Sequence, residues 1–390
     1  MIVVKNKADC CGCTACYSVC PKKAISMQQD QEGFLYPFVE ISKCIDCKLC
    51  DSACPIENKI ESKMFDRKAY VLRAKDVEIV STSTSGGFVT PLGVWILNQG
   101  GVICGATYNE EYKVIHKISG GAEEFRGSKY VQSDLGDCFS EIKKHLMQET
   151  KVCFIGTPCQ VYGLKSYLRK EYDNLVTVDL VCHGTPSPKL WKKYLDEQKD
   201  KYHSEIDDIV FRNKTYGYHS GTMRIRFKNQ FVYYGSARVD PMLKSFFAEI
   251  SSRPSCYQCH FKSVERCSDF TIYDCWHANN LVEGLVDDDK GFTNLIVQSS
   301  KGERILDRIA DRYELYATNL EKAIELDGTM ICHSAEPHPR RDEYYLNLDK
   351  ETLRAHIQKF VPIRIRDYLI EKSKGIFYRM GVYKFLKNKK

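Results

Sequence analysis

The chain has 390 residues, 43% of them hydrophobic and 28% charged, with 19 cysteines and a formal net charge of +6. That length calls for two or three structural units, and the composition supports an ordinary buried core rather than a disordered or fibrous chain. No run of eighteen apolar residues occurs, which excludes a membrane-spanning helix, and the charge is lopsided: residues 351–390 hold eleven Lys/Arg against three Asp/Glu, leaving the first 350 residues at about −2.

From Met1 the sequence reaches a cysteine cluster by Cys10, so no leader peptide is expected and the expected location is cytoplasmic. In a reducing compartment cysteines serve metal or redox chemistry before disulfides. Nine of them precede Ile56, in two runs. Cys10, Cys13, Cys16, Cys20 and Pro21 form one, and Cys44, Cys47, Cys50, Cys54 and Pro55 the other. Both read C-x2-C-x2-C-x3-C-P, the bacterial dicluster ferredoxin spacing, in which the fourth cysteine of each run reaches the other cluster. Cys10, Cys13, Cys16 and Cys54 are therefore expected on one [4Fe–4S] cluster, with Cys44, Cys47, Cys50 and Cys20 on the second. The prolines stop each short helix and aim that fourth thiolate away. A pair of zinc sites would gain nothing from this repeat. Cys11 is the extra thiol, expected not to be a ligand. Residues 24–27 and 35–39 read as short strands, and the module is expected over 1–62.

Further on, Ser81 to Gly87 precede a helical pattern from Phe88 to Leu97, and a strand follows from Val102 to Tyr108. Hydroxyl and glycine residues at a helix start offer either a plain cap or a seat for a phosphate or flavin ring. Lys151–Ile155 reads as a buried strand, 160–171 as a helix and Leu175–Val181 as a second strand. A strand–helix–strand unit makes these strands parallel neighbours. Cys159 and Cys182 then meet at their carboxyl ends, where α/β sheets place ligands. With Cys256 and Cys259 of a C-x2-C turn they make four thiolates, the number a third cluster needs. Cys267 is the reserve candidate; Cys104, Cys138, Cys153, Cys275 and Cys332 are expected as buried small hydrophobes.

The order of these motifs resembles the beta subunits of coenzyme F420-reducing hydrogenase and F420-dependent formate dehydrogenase, in members with a fused ferredoxin module; plant 7-hydroxymethyl chlorophyll a reductase is a related enzyme. The resemblance rests on Ser85-Gly-Gly87, Arg126 to Val131, Gly156 to Gln160, Cys182-His-Gly184, Phe211 to Lys214, Cys256 to Cys259 and Ser268 to Trp276. It implies FAD beside one cluster and a two-electron organic partner. Ser85, Gly86, Gly87, Thr90, Ser128, Lys129, Tyr130, Thr157 and Gln160 would contact the cofactor. Cys159, Cys182, Cys256 and Cys259 would hold the flavin-side cluster. A flavin takes electrons singly and delivers them in pairs, which the relay needs, and no G-x-G-x-x-G fingerprint follows a strand. His183 is either a proton donor near the flavin or a structural histidine; Lys129 either neutralises an anion or is solvated. Asp269 and Asp274 either bind substrate or tie loop amides.

The expected fold class is α/β, or α+β over the whole chain: the dicluster ferredoxin-like domain, then a mixed-sheet α/β flavin-binding domain in two regions, 63–150 and 151–320, and a helical basic extension over 321–390. In that extension aromatic and aliphatic residues interleave with lysine. It is either a packed helix or an amphipathic one lying on the inner membrane face. The expected function is an oxidoreductase taking electrons from reduced ferredoxin or a similar donor through the clusters to FAD. The acceptor would be F420-like or another small-molecule substrate, such as a glycan or lipid intermediate. An electron-transfer adaptor on a separate catalytic partner is the alternative. No nucleic-acid partner is expected, since no recognised motif accompanies the charge.

Overall fold

In the computed structural model, which describes residues 1–380, the two cysteine runs flank an antiparallel hairpin of β1 (Ile25–Gln29) and β2 (Leu35–Val39). Each run turns into a short helix, Ala15–Val19 or Leu49–Ser52, entered through a left-handed residue, Thr14 (φ 64) or Lys48 (φ 60). The third cysteine of each run lies within its helix and the fourth just beyond it, as the spacing requires.

The body is built on eight further strands in one mixed sheet. They are β3 (Lys68–Ala74), β4 (Val102–Tyr108), β5 (Val114–Ser119), β6 (Val152–Gly156) and β7 (Leu175–Leu180). After β8 (Ile206–Asn213), β9 (Thr222–Phe227) and β10 (Val232–Ser236), which form a separate antiparallel sheet, come β11 (Phe270–Cys275), β12 (Phe292–Val297) and β13 (Tyr313–Thr318). The large sheet runs β13-β3-β12-β11-β7-β6-β4-β5. Its centre, β11-β7-β6-β4, is parallel and both flanks are antiparallel. The regions 63–150 and 151–320 thus interleave in a single sheet rather than following one another as units.

Burial on both faces explains why β6 reads as a continuous apolar run. On one face Cys153 and Ile155 pack with Leu92 and Ile96 of the helix Val89–Leu97 and with Ile305 and Leu306 of the helix Ser300–Ile309. On the other, Val152 and Phe154 meet Phe139 and Ile142 of the helix Cys138–Met147 and Val161 and Leu164 of the helix Pro158–Leu168. This last helix joins β6 to β7, and the two strands are parallel neighbours. It starts two residues before the expected position because Thr157 and Gln160 form a capping box around Pro158 in the first turn. It stops at Arg169, which turns left-handed (φ 59), short of the expected residue 171.

The ferredoxin module sits directly on this helix. Cys13, Ala15 and Ala53 share a core with Val161, Leu164 and Phe261. A Cβ on Gly163 would stand 2.7 Å from the Cys13 Cβ, so only glycine permits the approach. Around the rim, Arg169 donates to the Ser52 hydroxyl (2.8 Å) and Tyr17 to Asp137 (2.9 Å). Arg341 grips the Glu32 carboxylate with both Nη atoms (3.0 and 2.6 Å).

Behind the carboxyl end of β7 lies a fully buried ion pair, Arg266 Nη1 to Asp179 Oδ1 at 2.6 Å, each side chain 1% exposed. Ser268 donates to the other Asp179 oxygen at 2.6 Å. Removing one partner strands a buried charge at a cost of about 3–5 kcal/mol. Asp179→Asn is therefore expected to lower the chemical-denaturation midpoint markedly, whereas Arg312→Ala on the surface leaves it unchanged; equal midpoints for Asp179→Asn and wild type would show that the pair does not hold β7 to the β11 side.

Candidate functional site

At the carboxyl edge of the parallel strands, β6 runs into Thr157-Pro158-Cys159 and β7 into Cys182-His183-Gly184. The segment before β11 supplies the turn Pro254–Cys256 and Cys259. Cys159, Cys182, Cys256 and Cys259 line one cavity of about 580 Å³, together with Cys11, His183, Arg253 and Lys262 and the apolar Ile56, Pro158 and Phe261. Cys11, set aside from the sequence, is thus a fifth thiol in this wall. Cys267 is buried elsewhere and does not line it. Among the described residues no three His, Cys, Asp or Glu side chains close around a single-ion position. The thiols are instead spread along the wall of the chamber.

The thiols are held protonated by their setting. Burial pushes Cys182 and Cys256 up, and Cys259 up to about 12. Cys159 is raised first by its hydrogen bond with Cys11 and then by burial. Loading iron must therefore expel protons. Hydroxyls already stand by two sulfurs: Thr157 Oγ1 is 3.1 Å from Cys159 Sγ, and Thr185 Oγ1 is 3.8 Å from Cys256 Sγ.

In the ferredoxin module, Cys20, Cys44, Cys47 and Cys50 line a second cavity of about 380 Å³ with Pro21 and Leu49. These are the four thiols expected to share a cluster. Cys10, Cys16 and Cys54 are also mutual neighbours: burial pushes Cys16 up to about 12, with the charges of Cys10 and Cys54 adding to it. The first run faces the body and the second faces outward, where Cys47 is exposed.

The residues expected at a flavin converge in part. Thr84 Oγ1 accepts from Ser128 N (2.8 Å), and Arg126 Nε donates to Thr90 Oγ1 (3.1 Å), so segments 84–90 and 126–130 face each other. Ser85 Oγ lies 2.7 Å from Thr293 Oγ1, which also accepts from Gly86 N (2.8 Å). The Gly86 N–H is therefore occupied rather than offered to a ligand. A Cβ there would meet Leu72 O at 2.4 Å, so packing on β3 already accounts for that glycine. Gly87 takes a left-handed φ of 84. Lys129 Nζ donates to the carbonyls of Arg126 (3.0 Å) and Gly127 (3.2 Å). Tyr130 stacks on Phe246 at 4.9 Å and accepts from Arg212 Nη1 at 3.3 Å. Thr157 and Gln160 are spent on the helix cap, and Gln160 Nε2 also donates to Ser133. His183 belongs to the thiol chamber and pairs through Nε2 with Glu249.

Asp269 ties strands, accepting from Thr177 N (2.9 Å) and Ser299 Oγ (2.7 Å). Asp274 instead joins Arg212 (3.0 Å) and Tyr218 (3.0 Å), with Trp276 stacked on Tyr218. Sequence reasoning missed Arg253, Lys262 and Glu249. Each is a common residue type whose role depends on where the chain returns, and only the R-P-S-C neighbourhood of Arg253 gave a signal.

Two family models match the chain. One, for the C terminus of coenzyme F420 hydrogenase/dehydrogenase beta subunits, covers residues 149–323. The other, a 4Fe–4S dicluster domain, covers residues 9–58. The chain is similar to one of the subunits of the F420H2 dehydrogenase of Methanosarcina mazei, 22% identical over 339 residues, or 83% of this chain and 88% of the relative. Fifty-three residues are 34% identical to an uncharacterized ferredoxin of Methanocaldococcus jannaschii, covering 14% of this chain and 68% of that protein. A chain of the F420-reducing [NiFe] hydrogenase complex from Methanosarcina barkeri superposes with a TM-score of 0.43 at 16% identity, over 78% of this chain and 94% of that one.

Burial pushes the Lys129 ammonium down to about 8 from its ordinary value of 10.5. Between those values the unfolded chain binds more protons, so this residue's contribution to stability rises with pH; below about pH 8 the full desolvation penalty is present. Lys129→Met is accordingly expected to stabilise the fold more at pH 7 than at pH 10, read from denaturation midpoints. A difference that stays constant across that range would refute burial as the governing effect.

Proposed function

We propose that this chain, whose residues 149–323 match the C terminus of coenzyme F420 hydrogenase/dehydrogenase beta subunits and whose residues 9–58 match a 4Fe–4S dicluster domain, belongs to that family and is an iron–sulfur flavoprotein oxidoreductase. It would carry three [4Fe–4S] clusters and FAD, and exchange electrons between a ferredoxin-like protein and a two-electron organic partner of the deazaflavin type. The observation that carries this reading is the chamber in which Cys159, Cys182, Cys256 and Cys259 meet against the first cysteine run.

In this reading Cys20, Cys44, Cys47 and Cys50 hold the outer cluster, and Cys10, Cys13, Cys16 and Cys54 the inner one. The chamber thiols hold the third. When bound, the cubanes supply one-electron transfer and the flavin converts single electrons to pairs. The exposed position of Cys47 makes the outer site the port to an external protein. The packing of Cys13 on Gly163 keeps the inner site against the body. Segments 84–90 and 126–130 would seat the flavin, with Lys129 as the nearby cation and the unpartnered Arg212 Nη2 available to an anionic group. His183, fixed by Glu249, would hold a proton at the chamber wall. The competing reading is an adaptor on a larger assembly, since the Methanosarcina mazei relative is itself one part of a multi-chain dehydrogenase.

The deciding measurement is iron, sulfide and flavin content of anaerobically purified protein. About twelve irons and one FAD per chain are expected, and Cys182→Ala should lose about four irons while the N-terminal eight remain. About eight irons and no flavin in the wild type would sink the reading; substrate-dependent reoxidation of the flavin would exclude the pure adaptor.

A peripheral membrane contact also belongs to this proposal. The helix Ile365–Arg379 lies on the small sheet, with Glu371 accepting from Ser236 Oγ at 2.6 Å. Ile365, Leu369, Ile376 and Met380 remain exposed. Their spacing sets them on one face of a helix, flanked by Arg366, Lys372 and Arg379, a pattern suited to an anionic lipid surface. Part of the basic tail, residues 381–390, lies outside the described residues. Among those described, no helix is long and apolar enough to cross a membrane. Leu369→Glu with Ile376→Glu is expected to abolish sedimentation with anionic vesicles. Undiminished binding would rule this contact out.

A further inference from the structure

Arg253 is among the largest side chains in the protein to be fully buried, 1% exposed, and it forms no ion pair among the described residues. A buried unpaired guanidinium is costly unless a negative charge lies close by. It lines the wall that carries the five thiols. Its Nε donates to the Cys10 carbonyl at 2.8 Å, in the first cysteine run. Its Nη1 donates to Gln132 Oε1 at 3.3 Å, and the guanidinium lies 4.0 Å over the Tyr36 ring. Its Nη2 has no partner at all, and the residue lines the five-thiol chamber. The backbone completes the junction: Arg253 N donates to Thr185 O (3.0 Å), beside Cys182, and Cys256 N donates to Arg253 O (2.9 Å). One residue therefore touches three cysteine-bearing loops.

The other cations of the chamber are otherwise engaged. Lys262 Nζ donates to the carbonyls of Cys182 (2.6 Å) and Met330 (2.7 Å). Arg266 is neutralised by Asp179. Arg253 alone among these three combines an unpaired charge, a free N–H and a contact with the ferredoxin module.

A cubane held by four thiolates is a net anion in either redox state. Potentials of such clusters depend on net charge, hydrogen bonds to sulfur and solvent exposure. A fixed cation beside two such anions stabilises the reduced, more negative form of each. Resting on the three-cluster reading above, we propose that Arg253 is a positioning residue for intramolecular electron transfer. Its guanidinium fixes the Cys10 loop against the chamber and raises the reduction potentials of the inner and chamber clusters together, keeping them matched.

The test is a potentiometric titration followed by electron paramagnetic resonance, on anaerobically purified full-length protein. Wild-type iron content comes first: about eight irons would remove the three-cluster reading itself, independently of Arg253. With about twelve irons present, Arg253→Met is expected to retain them and to titrate at more negative potential at both sites. The expected change is about tenfold in the reduced-to-oxidised ratio at a fixed potential, or about 59 mV for a one-electron couple. Arg253→Lys, which restores the charge without the planar fork, should recover most of the shift. The outer cluster should not move. Should Arg253→Met fail to accumulate, Arg253→Gln removes the charge while keeping an N–H for the Cys10 carbonyl. A neutral variant with full iron content and wild-type potentials would overturn the proposal, as would an equal shift in all three clusters.

Discussion

The arrangement depends on one close approach, that of the first cysteine loop to the helix Pro158–Leu168. Gly163 lets Cys13 lie against the helix where any side chain would collide. On the loop's other side Gly12 has a φ of 70, and a Cβ there would strike Gln132 Nε2 at 2.4 Å. Two absent side chains thus bring the ferredoxin module within van der Waals contact of the helix that carries Cys159. The remaining rim contacts, from Arg169, Tyr17 and Arg341, orient a module whose position the glycines already dictate.

Electrostatics and topology converge at the same edge. The parallel centre of the sheet brings Cys159 and Cys182 together, although 23 residues separate them in the sequence, because β6 and β7 are neighbours. Burial pushes the Cys182 thiol up, and the hydrogen bond with Cys11 followed by burial does the same for Cys159. The same wall carries Arg253 and Lys262, which meet no carboxylate among the described residues, while Arg266 is paired with Asp179.

Local spacing made much of this legible. The two C-x2-C-x2-C-x3-C-P runs announce their own pairing, and Cys20 does share a cavity with Cys44, Cys47 and Cys50. The strand–helix–strand unit around Cys159 was readable because its apolar runs are unbroken and its helix has a clear apolar face. Long-range placement was less accessible. Apart from the C-x2-C turn next to Arg253, nothing distinguishes Arg253 or Cys11 until the chain folds back over 240 residues to bring the two loops together. The Ser85-Gly86-Gly87 segment shows the opposite difficulty. Its residues suit a plain helix cap or a ligand seat on paper, and only the fold shows that Thr293 and the β3 backbone already engage Gly86. Interleaving of 63–150 with 151–320 was equally hidden, because strand order in a sheet leaves no mark on the strands themselves.

The two-sided hold on the ferredoxin module has a further meaning. Arg341 clamps Glu32 on one flank while Arg169 reaches Leu49 and Ser52 on another, so the hairpin side and the second-run helix are both tethered to the body. A part fastened at two separated points cannot swing. Whatever crosses from Cys13 to Cys159 does so through fixed, close-packed matter, with no docking event to wait for. Solvent viscosity then has no purchase on that step; in the proposed relay it would act only at the outward-facing second run, where Cys47 is exposed.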